Sequence, residues 1–91
     1  MHADVMAHSY DRDVLTPAQI RAARALLGWR QLDLARASGV SEVSIKNIER
    51  GTTDPRRSTL LALQQALEKA GVEIIEPSAA GGEGVRLRKP G

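Results

Sequence analysis

The chain has 91 residues, 42% of them apolar and 26% charged, with no cysteine, no phenylalanine and a formal charge of +2. That length suits one small domain with tails, because two cores would each bury too little surface. Without cysteine there is no disulfide framework, thiolate nucleophile or Cys-based zinc site, and no apolar run approaches the roughly 20 residues a membrane helix requires.

Residues 1–14 lack a basic start and an apolar stretch, so they read as a fraying tail and not as a secretory signal. The expectation is a soluble, cytoplasmic protein. The charge is unevenly placed. Arg12 against Asp4, Asp11 and Asp13 makes the start acidic, and the segment from Ser58 onward balances, but residues 16–57 carry eight basic side chains against four acidic ones. A basic middle is the footprint of a surface for polyanions, or simply a solvated face.

Thr16-Pro17-Ala18-Gln19 is a capping box with Pro in the first helical position, and Leu15 with Ile20 can form the hydrophobic staple. Ile20, Ala23 and Leu27 recur at helical spacing until Gly28 ends the first helix. A second helix fits Gln31–Ser38, with Leu34 and Ala35 inward and Gly39 as terminator. Ser41 is a good N-cap for a third helix reaching about Arg50, closed by Gly51. Asp54-Pro55 marks a loop, and Ser58 is the expected cap of a fourth helix with Leu60, Leu63 and Leu67 on one face. Gly71 closes that helix, with Val72 placed to pack back on Leu67.

From Val72 the pattern changes. Val72–Glu76 and Val85–Arg88 alternate like strands, separated by the small-residue run Ser78–Gly84, with a turn expected at the glycines. A lone hairpin is marginal in water, so this segment must pack on the helices, pair with another chain or remain disordered. The domain plan is therefore a tail over 1–14, a helical domain over 15–71 and a hairpin extension over 72–91.

Two helices joined by a short turn containing Gly form a helix-turn-helix. On a wheel of about 100° per residue, Ile45, Ile48 and Glu49 face inward, whereas Val43, Lys46, Asn47 and Arg50 face outward. An amide, a small apolar group and cations on one face suit the major groove of DNA. Asn47 can bond adenine, and Val43 can meet the thymine methyl. Glu42 can accept from cytosine, or instead serve the helix N-terminus and pair with Lys46. Arg56 and Arg57 are candidate phosphate contacts or solvated charge.

Here the sequence resembles the Cro and lambda-repressor-like (XRE-type) helix-turn-helix regulators from Leu15 to about Val72. The matching blocks are Ile20–Trp29, Gln31-Leu32-Asp33-Leu34-Ala35, Ser38-Gly39-Val40-Ser41, and Ile45 with Ile48-Glu49-Arg50-Gly51, then Pro55 and Ser58-Thr59-Leu60. The resemblance implies a mainly α, four-helix lambda-repressor-like domain. It implies that Gln31 contacts a phosphate and that Ser41, Glu42, Val43 and Asn47 meet bases or flanking phosphates, with Glu42, Val43 and Asn47 as the base contacts and Ser41 on phosphate; Ser44, Lys46 and Arg50 on the same helix are further candidate phosphate contacts. It further implies a structural ion pair between Arg24 and Glu49. Arg30 departs from the pattern, standing where relatives carry a Ser or Thr cap, and becomes a candidate phosphate contact.

Other residues carry no chemistry. Trp29 reads as core. His2 and His8 lack further metal ligands, and His2, Ser9 and Asp11 have no strand or elbow around them, so no metal site, cofactor or enzyme activity is expected. Arg86, Arg88 and Lys89 are a weaker basic cluster. The expected function is a transcriptional regulator of a bacterial or phage type, in particular a repressor, binding double-stranded DNA as a homodimer through 72–88. The alternative is an antitoxin-like module that also binds a partner protein. No small-molecule ligand is expected.

Overall fold

Leu15 and Ile20 are both buried on either side of the Thr16 cap, and from that staple the first helix begins. A computed structural model describes residues 15–88, as four helices followed by a two-stranded sheet. The expectations for the tail over 1–14, for His2 and His8, and for Lys89 lie outside the described residues. The helices are α1 (Pro17–Leu27), α2 (Gln31–Ser38), α3 (Glu42–Arg50) and α4 (Arg57–Lys69), and the strands are β1 (Val72–Ile75) and β2 (Gly84–Leu87). Among the described residues, no helix is long and apolar enough to cross a membrane.

The capping box of α1 is complete. Gln19 N–H donates to the Thr16 hydroxyl at 3.2 Å, and Thr16 N–H donates to the Gln19 side-chain oxygen at 2.8 Å. Gly28, Gly39 and Gly51 end the first three helices in the left-handed conformation, with φ of 68°, 79° and 74°. Non-Gly residues pay a steric cost there, which is why glycine punctuates the chain at these three points.

The fourth helix departs from expectation at its start. Its N-cap is Arg56, in extended conformation and without a side-chain cap bond, so Ser58 lies inside the first turn and does not cap. Packing sets this phase: Leu63 and Leu67 are fully buried and Leu60 rests on the core, and that contact outweighs a cap worth about 1 kcal/mol.

The core joins Leu15, Ile20 and Ala23 of the first helix region, Leu34 of α2, Ile45 and Ile48 of α3, Leu63, Ala66 and Leu67 of α4, and Val72 of β1. It is aliphatic, as the lack of Phe requires. Trp29 is half-buried against its edge.

Strands β1 and β2 are antiparallel, with Val72 opposite Leu87, Glu73 opposite Arg86, Ile74 opposite Val85 and Ile75 opposite Gly84. Val72, Ile74, Val85 and Leu87 therefore share one face, which packs on α1 and α4. Of the three fates open to the segment, packing on the helices is the one observed. The turn is not where the glycines suggest. Ser78 and Gly81 exchange backbone hydrogen bonds of 2.8 and 3.2 Å, so the chain reverses at Ala79-Ala80. The Ser78 hydroxyl, accepting from Ala80 N–H at 3.1 Å, supplies the local bond that makes a turn there.

Candidate nucleic-acid interface

The helix α3 divides cleanly. Ile45, Ile48 and Glu49 are buried, while Glu42, Val43, Lys46 and Arg50 are exposed and Ser44 and Asn47 are half-exposed. Val43 is 68% exposed, an apolar group in water with no protein surface over it. The helix starts at Ser41, whose hydroxyl oxygen accepts from Ser44 N–H at 3.1 Å and lies 2.9 Å from the Ser44 hydroxyl. These two serines cap the helix as well as standing on the candidate DNA side.

Beyond α3 the loop closes against it. Thr52 donates from both N–H and hydroxyl to the Asn47 carbonyl, at 3.3 and 3.2 Å. A shallow groove of about 360 Å³ runs between α3 and the start of α4, lined by Ser44, Asn47, Thr53, Asp54, Arg56 and Thr59. Thr53, Asp54 and Thr59 were not legible as neighbours of Asn47, because the left-handed turn at Gly51 decides where the loop returns.

The orientation of α3 is held from behind by Glu49, which is buried with a side chain 4% exposed. Arg24 grips it with two parallel bonds, Nε to Oε2 at 2.7 Å and a terminal nitrogen to Oε1 at 2.8 Å. Its other terminal nitrogen donates to the Trp29 carbonyl at 3.0 Å, tying the α1–α2 turn to the same point. The hydrogen bond with Glu49 is the main reason the Arg24 pKa is raised above its ordinary value, against the opposing pull of burial. The ion pair that the family resemblance implies is thus part of a three-way junction of Arg24, Glu49 and the Trp29 carbonyl.

The helix-turn-helix family profile matches residues 20–74, more than half of the chain. The chain belongs to the helix-turn-helix family. This is a family of XRE-type transcriptional regulators, not of enzymes. The chain is 46% identical over 50 residues to Repressor protein C2 of Salmonella phage P22, and 40% identical over 50 residues to an uncharacterised HTH-type transcriptional regulator of Mycobacterium bovis. Each match takes in 55% of this chain but only 23% and 20% of those proteins. The solution structure of the DNA-binding domain of the P22 C2 repressor is similar, with a TM-score of 0.54 and 44% identity over 59% of this chain and 71% of that one. The fold is thus lambda-repressor-like, with a two-stranded sheet after the fourth helix.

Within this helix-turn-helix, two site residues have engagements that the sequence did not reveal. The Gln31 amide donates to Glu49 Oε1 at 3.1 Å, so this side chain supports the α3 anchor from the first turn of α2. Arg30 caps nothing through its side chain. Instead the Asp33 carboxylate accepts from Arg30 N–H at 2.8 Å and from its guanidinium at 3.1 and 2.9 Å. Those bonds, the side-chain one foremost, hold the Asp33 carboxyl down at about 2. Asp33 thereby supplies the N3 half of a capping box, accepting from the N-cap N–H, while the half that a Ser or Thr at position 30 would supply to the Asp33 N–H is absent.

Arg21 is a further anchor that spacing alone did not show, donating from its guanidinium to the Glu49 carbonyl at the end of α3. A cation at a helix C-terminus is favourable there. Lys46 and Arg50 stand exposed on α3, Arg56 lines the groove, and Arg57 opens α4.

Proposed function

We propose that this protein is a sequence-specific double-stranded DNA-binding repressor that reads the major groove with α3. The observation that carries this reading is the exposed face of Glu42, Val43, Lys46, Asn47 and Arg50, mounted on a helix whose opposite face is locked by Ile45, Ile48 and the Glu49 junction. Asn47 and Val43 meet base edges, with Glu42 at the entrance of the same helix. Lys46, Arg50, Arg56 and Arg57 flank them toward the phosphates, and the Ser41, Ser44 and Gln31 ends add polar donors. Arg30, already paired with Asp33, adds a weaker field than a free cation. Similarity to the DNA-binding domain of the P22 C2 repressor supports the same reading.

One recognition helix covers only a few base pairs, so the working form is a homodimer on a palindromic operator, joined through the 72–88 segment. Its place of action is the bacterial cytoplasm, where the DNA lies. Selection from random duplex DNA tests the reading. A recovered palindrome whose central preference relaxes in Asn47→Ala supports it. Recovery of no enriched sequence, at salt low enough for general DNA binding, overturns it.

A further inference from the structure

Resting on the DNA-binding reading above, we propose that Asp33 is a positioning residue for Arg30. It holds the guanidinium in a closed ion pair, keeps it out of the phosphate contacts and thereby limits the affinity of the chain for DNA of any sequence.

Arg30 stands at the entrance of α2, directly before Gln31, and feels the charge of Glu42 in the first turn of α3. It therefore lies beside the start of the recognition helix. A guanidinium on a side chain 70% exposed at such a place has the reach of a phosphate contact. Its fork is nevertheless occupied. Nε donates to Asp33 Oδ2 at 3.1 Å and a terminal nitrogen donates to Oδ1 at 2.9 Å. Both carboxylate oxygens are thus bound by the two-pronged edge with which arginine takes a phosphate. The Arg30 N–H donates to Oδ2 as well, at 2.8 Å, and this bond fixes the acid to the helix start whatever the guanidinium does. Lys46, Arg50 and Arg56 differ in this respect, with no carboxylate in salt-bridge reach among the described residues.

An exposed ion pair is weak, and weakness alone would let a phosphate draw Arg30 away. The exchange still gains nothing. Moving the guanidinium to a phosphate breaks two charge-assisted bonds, makes at most two, and leaves a bare carboxylate beside a polyanion. The carboxyl, held down at about 2, stays charged wherever DNA binding is measured. Counterions leave DNA only for phosphates that protein cations neutralise, and a closed pair brings the duplex no net charge. Asp33→Asn changes this balance. The amide oxygen can still accept from the Arg30 N–H, but no charge retains the fork.

Full-length wild type, Asp33→Asn, Arg30→Ser and the double variant are titrated with a selected site and with an unrelated duplex, at about 50 and 200 mM salt. Arg30→Ser puts a preferred N-cap residue at the start of α2, so helical circular dichroism is expected to match in all four proteins. Asp33→Asn is expected to bind both duplexes more tightly at the lower salt. Its salt slope should steepen by about 0.9, a roughly threefold larger fall in affinity over that range. Preference between the duplexes should stay as in wild type, because no base contact changes. With Arg30→Ser already present, Asp33→Asn should move the slope less than half as far, since no fork is released.

A purely structural role for Asp33 gives the opposite sign, because a loosened α2 start lowers affinity. Equal slopes in wild type and Asp33→Asn overturn the proposal. So does equal steepening with and without Arg30, or a loss in Arg30→Ser as large as that in Lys46→Ala; in each case DNA binding itself stands. If wild type binds neither duplex at the lower salt, the DNA reading falls and Asp33 loses this role with it. Should Asp33→Asn lose helicity, Asp33→Gln gives the same reading with the amide that capping boxes use.

Discussion

The side-chain nitrogen of Gln19 donates to the carbonyl of Ile75 at 3.1 Å, and to that of Gly84 at 3.0 Å, latching the first helix to the far end of the hairpin. The same amide completes the α1 capping box through its oxygen. Gln19 is only 5% exposed, so its amide is largely shielded from water, and the bonds it makes are partly buried.

Replacing Gln19 by Ala should therefore do more than fray a helix end. It strips partners from two strand carbonyls and one N–H, each partly buried, and the expected loss is about 2 kcal/mol. Hydrogen exchange locates the damage: amides of 72–88 should lose protection before those of α2 and α3. Loss spread evenly over the domain would contradict the latch.

The Arg24–Glu49 junction should respond asymmetrically. Arg24→Ala leaves a buried carboxylate with only Gln31 beside it, and should lower stability by about 3 kcal/mol. The double variant Arg24→Met, Glu49→Leu should lose clearly less than the sum of Arg24→Met and Glu49→Leu made singly, because no uncompensated charge remains. Denaturant midpoints for the four proteins close this cycle.

Asp33 gives a pH signature. Its folded pKa of about 2 lies below its ordinary 3.8, so the pair with Arg30 stabilises the fold fully above pH 4 and is lost as pH falls toward 2. The difference in midpoint between wild type and Asp33→Asn should be present at pH 5 and vanish near pH 2. A difference constant over that range would exclude the linkage. Since both side chains meet solvent, salt should shrink it.

DNA binding should separate readers from anchors. Lys46→Ala or Arg56→Ala should weaken binding to every sequence and reduce the salt slope by about one unit each. Asn47→Ala should cost roughly 1–3 kcal/mol on the selected site and little on unrelated DNA. Titrations at three salt concentrations on both duplexes tell the classes apart.

Much of this was legible in the chain itself. The Thr16–Gln19 box, the Leu15–Ile20 staple and the three terminating glycines are local devices, and local devices survive into the fold because no distant contact is needed to form them. The outward set on α3 was likewise readable, since helical period alone separates Asn47 from Ile48. The start of α4 was not. Ser58 looked like a cap, but the phase of Leu60, Leu63 and Leu67 against the core moved the helix start to Arg57.

By itself, then, the sequence determined where the first three helices begin and end, which faces the helices bury, and that a basic helix-turn-helix would lie between acidic and neutral flanks. Contacts distant in sequence were left to the tertiary structure. Only the fold brought Gln19 to Ile75, Gln31 and Arg21 to Glu49, and Thr53 to the side of Asn47. Polar side chains of this kind have several possible partners of similar strength, and burial of the core decides which one lies within hydrogen-bonding reach.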